Sequence, residues 1–252
     1  MSEGWRVKTR VGRFVASLLA CVVLAGCAKG VRRTLGEGGA ARTEGRGGAA
    51  TRKAEPVTYV ALGDSTGVGV GARKGGDYVA RIFERLGRER PGSRVLNLCV
   101  SGAETGDVLR AQVPRVERER PTLVTLGIGI NDLTHGVEVE QFARNFEEIV
   151  ARVRDATDAP VVATNIPDIS TAPRVPAFMR EGVSRRIALF NEEIKRIAAR
   201  HDLRLVDAHG MSREVIATHP EFFSADGFHP SEEGYEYWAK MMWGAVKEAV
   251  GA

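Results

Sequence analysis

The chain alternates between two residue patterns, and that alternation restricts its fold more than any other feature. Five short apolar runs, at 57–62, 95–100, 123–128, 161–166 and 203–206, have the length and the Val/Leu content of buried strands. Between and after them, apolar residues recur at helical spacing. One set is Tyr78, Val79, Ile82, Phe83 and Leu86; a second is Phe142, Phe146, Ile149, Val150 and Val153. A third is Ile187, Phe190, Ile194 and Ile197, and the last is Tyr235, Trp238, Met242 and Ala245. Thr105 to Glu119 reads as a further helix, interrupted or kinked at Pro114. The stretch through His209 and His219 to Phe223 reads as a loop. Apolar strands alternating with amphipathic helices predict an α/β fold with a parallel sheet covered on both faces.

Ligands of such sheets bind beyond the carboxyl ends of the strands. The first run stops there at Gly63-Asp64-Ser65-Thr66-Gly67, a glycine-flanked hydroxyl on a tight turn. The second ends at Ser101-Gly102 and the third at Gly129-Ile130-Asn131-Asp132, while Asp226-Gly227-Phe228-His229 follows on a late loop. A serine needs a histidine to accept its proton, and the histidine needs a carboxylate to fix its tautomer. An attacked carbonyl needs hydrogen-bond donors where its oxygen becomes an anion. Ser65, His229 and Asp226 are therefore the candidate nucleophile, base and orienting acid. The backbone N–H groups of Ser65 and Gly102 and the amide of Asn131 are the candidate oxyanion donors.

This constellation resembles the SGNH hydrolases, whose GDSL-type esterases carry four motif blocks. Gly63-Asp64-Ser65 matches the first block, with Thr66 in place of its usual leucine. Asn97 to Gly102 is similar to the second, Gly129 to Asp132 to the third, and Asp226 to His229 to the last. The resemblance implies a flavodoxin-like three-layer α/β/α sandwich with a five-stranded parallel sheet. It also implies a serine esterase that needs no metal or cofactor. Short acyl esters, lysophospholipids and O-acetylated glycans are all compatible substrates. The alternative is a surface binding module that keeps the fold and hydrolyses nothing, although a pure binder has no reason to hold Ser65, Asp226 and His229 together.

Gly63 to Gly67 also satisfies G-x-S-x-G, the nucleophile elbow of α/β-hydrolases. In that fold the serine follows several strands, whereas here it follows the first. Gly67 to Ala72 fits G-x-G-x-x-A, but no acidic residue ends the next run, so a dinucleotide site is rejected. Asp64 reads as a brace of its turn and Asp132 as a cap of the segment after it. His135, His201, His209 and His219 read as structural, without metal-ligand spacing. Cys99, within the second run, reads as buried and inert. Phe222, Phe223 and Phe228 are either core or the lining of an acyl or leaving-group pocket.

Before the first run the character of the chain changes. Residues 1–56 hold 11 Lys/Arg against 4 Asp/Glu, and the remainder holds 25 against 28. The overall charge of +4 thus belongs to the leader, and the rest offers no basic balance for nucleic acid. Arg6, Lys8, Arg10 and Arg13 precede an uncharged stretch from Phe14 to Ala25, of signal-peptide length and short for a membrane span. It ends in Leu24-Ala25-Gly26-Cys27, similar to the lipobox of bacterial lipoproteins, which implies cleavage before Cys27 and its acylation. Ala28 follows without the aspartate linked to inner-membrane retention, implying the outer membrane if the source has two. The expected organisation is a signal over 1–26, a lipidated cysteine and disordered tether over 27–56, and a hydrolase domain over 57–252. The expected state is an extracytoplasmic, membrane-anchored monomer. Three cysteines, with Cys21 in the signal and Cys27 committed to lipid, leave Cys99 alone, so the domain relies on a packed core.

Overall fold

A computed structural model describes residues 55–216 and 218–251. The leader, the lipobox with Cys27 and all but the end of the tether lie outside them.

Strand β1 (Thr58–Gly63) is followed by the single turn α1 (Ser65–Val68), then α2 (Tyr78–Glu89) and β2 (Arg94–Asn97). Next come α3 (Thr105–Asp107), a π-helical turn at Val108–Gln112 and α4 (Val113–Glu119). Then follow β3 (Leu123–Gly127), α5 (Ile130–Thr134), α6 (Val139–Ala156) and β4 (Val161–Thr164). The last elements are α7 (Arg180–Arg200), β5 (Arg204–Val206), α8 (Ala208–Ile216) and α9 (Glu232–Ala249). All neighbouring strands pair in parallel, in the order β2-β1-β3-β4-β5. This is the flavodoxin-like sandwich. Chain direction across the sheet reverses between β1 and β3, and a crevice opens at such a point. The ends of those two strands are level there, with Gly63 opposite Gly127.

Period-two alternation along β1 serves two cores at once. Val60 and Leu62 join Leu126, Phe142, Phe146, Phe190 and Ile194 on one face. Tyr59 and Ala61 join Tyr78, Ile82, Leu86, Tyr235 and Met242 on the other. Both faces of the strand are covered, which is why its sequence is apolar throughout. Each fully buried large side chain contributes about 1.5–3 kcal/mol.

Two local expectations are corrected and a third is refined. The run at 95–100 is a strand only to Asn97; beyond it the Asn97 side chain takes the Cys99 N–H at 3.1 Å, while the Leu98 and Val100 N–H groups still bond to Ala61 and Gly63 of β1. Cys99 therefore lies beyond the strand and is half-buried, and desolvation pushes its thiol's pKa up. The 105–119 segment is helical throughout, as expected, and its irregularity at Pro114 takes the form of a π turn. A π turn precedes Pro114, which occupies the first turn of α4, where its missing N–H leaves no bond unmade. Finally, the expected loop after β5 contains α8. Asp207 accepts the Gly210 N–H at 3.0 Å as a helix cap does, a signal hidden by the helix's shortness and its weak apolar stripe.

Candidate active site

Ser65 opens α1 two residues after β1 ends, and it is 3% exposed. Asp64 Oδ1 accepts from the Thr66 N–H and hydroxyl, both at 2.9 Å, and so caps the turn. A Cβ at residue 67 would lie 2.3 Å from Cys99 Sγ, so glycine there permits the close approach of the second loop. Gln112 completes the mount. Its side-chain amide accepts from the Gly63 N–H at 2.9 Å and donates to the Gly63 carbonyl at 2.8 Å. Both backbone groups of the strand's last residue are thereby held, immediately before the serine's turn.

The late loop is folded on itself. Ser224 N–H donates to the His229 carbonyl at 2.8 Å, and Phe223 bridges Pro230. Asp226 Oδ1 accepts from the Ser224 hydroxyl at 2.9 Å, the Phe228 N–H at 2.8 Å and the His229 N–H at 2.9 Å. Its Oδ2 lies 2.6 Å from His229 Nδ1. Burial pushes this carboxyl upward, but the His229 ring and the other three donors outweigh it and hold the group well below the usual carboxylate range. An ionised Asp226 can only accept, so Nδ1 carries the proton and Nε2 is left with a free lone pair. That nitrogen is 3.0 Å from Ser65 Oγ.

Gly102 adopts φ +79° and exposes an N–H that has no partner among the described residues. Asn131 lies in α5, and its Nδ2 donates to the Ala103 carbonyl at 2.9 Å with one of two hydrogens, leaving the other free. Gly129, at φ +123°, starts α5 where a Cβ would lie 2.9 Å from Phe142. Ser65, Gly102, Asn131, Asp226 and His229 all line one open cleft of about 930 Å³.

Asp132 does not cap its own helix. Its carboxylate takes the Thr105 N–H at 3.0 Å and the Thr105 hydroxyl at 2.5 Å, tying the loop of Gly102 to the helix of Asn131. None of the other histidines bonds to Ser65. His135 pairs with Glu104, His201 with Glu147 and His219 with Glu221, while His209 Nε2 is buried without a partner among the described residues. The described residues contain no cluster fit to hold a metal ion. Neither Gln112 nor the Asp132–Thr105 tie was foreseen, since a lone amide or carboxylate carries no periodic or spacing signal.

Burial raises the Asp64 carboxyl from its ordinary 3.8 to about 6, against the lowering effect of the Thr66 hydrogen bonds. The folded chain therefore keeps a proton between those values that the unfolded chain has released. Stability present below pH 3.8 is lost as pH rises to about 6, in total about 3 kcal/mol. Asp64→Asn has no such proton to lose. Urea unfolding at pH 4.5 and 7.5 is expected to show a smaller pH difference in this variant than in the wild type. An equal difference would place the titration elsewhere.

The GDSL-like Lipase/Acylhydrolase family model matches residues 61–237, which include all four motif blocks. Esterase TesA of Pseudomonas aeruginosa is 25% identical over 197 residues, covering 78% of this chain and 91% of that protein. The GDSL-like esterase Rv1075c of Mycobacterium tuberculosis is 24% identical; the match covers 77% of this chain and 63% of that longer relative. Among solved structures, that of TesA superposes with a TM-score of 0.64 at 24% identity, covering 76% of this chain and 99% of the other. The psychrotrophic esterase EstA from a Pseudoalteromonas species gives 0.64 at 20% identity, covering 77% and 99%. With the family match spanning residues 61–237, most of the described chain, the chain belongs to the GDSL-like lipase/acylhydrolase family.

Proposed function

We propose that this carboxylic ester hydrolase works through an acyl-enzyme at Ser65. Ser65 Oγ attacks the ester carbonyl while His229 Nε2 takes its proton, and Asp226 holds the imidazole and offsets the charge it gains. The N–H groups of Ser65 and Gly102 and the free N–H of Asn131 Nδ2 receive the oxyanion; each such donor typically contributes ~10²–10³ in turnover. His229 passes the proton to the departing alkoxide. Water then enters, gives a proton to His229 and attacks the acyl carbon, and Ser65 leaves reprotonated.

The observation that carries this reading is the continuous line from Asp226 Oδ2 through the imidazole to Ser65 Oγ, at 2.6 and 3.0 Å, within the cleft. A fluorophosphonate probe should add to Ser65 and block hydrolysis of p-nitrophenyl esters in step with labelling. A probe that labels nothing would favour a binding module on the same fold.

We further propose that the chain is exported and anchored through acylated Cys27. The basic start, the uncharged stretch and the Leu-Ala-Gly-Cys box support this. Two or more acyl chains would make the anchor stable. Cells fed an alkynyl fatty acid should yield labelled protein in the membrane fraction, and Cys27→Ser should abolish the label; a label surviving that change would refute the anchor.

A further inference from the structure

Ser65 and His229 border two spaces that differ in kind. One is the wide cleft that holds Gly102 and Asn131. The other is a recess of about 60 Å³ that touches neither of those residues. Ile169 after β4, Ile216 of α8, Phe222, Phe223 and Phe228 of the late loop, and Met241 of α9 form its walls. The hydroxyls at its lining are already engaged: Thr66 with Asp64, Ser212 with Asp168 and the His209 carbonyl, and Tyr237 with the Met211 carbonyl. What it offers a substrate at the serine is chiefly hydrocarbon. The wide cleft, by contrast, carries His135, Arg174, Arg185 and Glu181 along with its apolar residues.

We propose that the recess is the acyl chamber, taking a straight, unsubstituted chain of about four carbons while the alcohol lies in the wide cleft. This rests on the esterase reading above. With the carbonyl oxygen directed at Gly102 and Asn131, two substituents of the ester remain to be placed, and Ser65 borders two spaces that can receive them. The order of events decides which goes where. The alcohol must leave and water must reach the same carbon while the acyl group stays bound to the serine. The open cleft allows that exchange, and the narrower recess holds what remains. Its size sets the length: one water-sized group needs roughly 10–15 Å³ on the same measure, so the recess takes on the order of four. A methyl or methylene is about that size.

The test is a series of p-nitrophenyl esters from acetate to dodecanoate, with a parallel series that fixes butyrate and varies the alcohol. Each buried methylene adds roughly 0.8 kcal/mol, about fourfold, so the two extra methylenes should raise kcat/KM about fifteenfold from acetate to butyrate. It should fall again from octanoate onward. Ile216→Phe fills the chamber and should lower the butyrate-to-acetate ratio by about tenfold. Met241→Ala enlarges it and should move the optimum to a longer acid, so the two variants shift the profile in opposite directions. If both keep the wild-type acyl profile, or if the shifts appear in the alcohol series instead, the chamber is not the acyl site. A wild type that turns over no ester and takes no fluorophosphonate is a different failure, in which the esterase reading falls and the chamber with it.

Discussion

Ser65→Ala should lower kcat for p-nitrophenyl butyrate by about 10⁶-fold, since the loss of a triad serine alone costs about as much as the loss of the whole triad. The remaining rate comes from the oxyanion donors and from binding, and it stays about 10³–10⁴ above that of water. KM should change little, because the hydroxyl makes its decisive contact only when the bond to carbon forms. Fluorophosphonate labelling should vanish with activity. The fold should survive: α1 is capped by Asp64 through Thr66, not through the serine hydroxyl, which bonds to His229 at the cleft. A variant retaining more than about one hundredth of the wild-type kcat would have its nucleophile elsewhere, a far smaller loss than the removal of a triad serine brings.

Asp226→Asn should lower kcat by about 10⁴-fold through the histidine, with Ser65 untouched. The carboxylate accepts from His229 Nδ1 at 2.6 Å and so fixes the proton on that nitrogen. An asparagine can donate to Nδ1 instead, which favours the tautomer whose proton sits on Nε2 and faces Ser65. A nitrogen that donates to the hydroxyl cannot take its proton. The same change should alter acid unfolding. Because the Asp226 carboxyl is held below its ordinary 3.8 in the folded chain, it adds stability above that pH. That stability is lost as pH falls through the folded value. The asparagine variant should therefore lose less stability than the wild type on acidification below about pH 4. A kcat within tenfold of wild type would remove Asp226 from the machinery, since the orienting carboxylate contributes about 10⁴.

Much of this was open to inspection in the chain itself. Strand runs and helix spacing gave the layers because burial on both faces of a sheet and on one face of a helix imposes different periods. The group of Asp226, Phe228 and His229 was legible because its members lie within one short loop, where the backbone alone sets how closely they approach. The helix α8 escaped notice: its buried Ser212 and small residues carry little apolar period, and its cap is a single aspartate. Its consequence was larger than its size, since Ile216 on α8 and Met241 on α9 wall the recess beside Ser65.

What the sequence determined by itself is the α/β layering and a short set of polar residues at strand ends and on the last loop. Those follow from local pattern, since side-chain period and turn chemistry act over a few residues. Only the tertiary structure decided that His229 Nε2 comes within 3.0 Å of Ser65 Oγ across 164 positions. The Gln112 clamp on Gly63, the Asp132 tie to Thr105 and the apolar recess were likewise settled there. The reason is physical: a buried amide or carboxylate must find a partner, but which distant group supplies it depends on how the layers stack, and no local spacing encodes that.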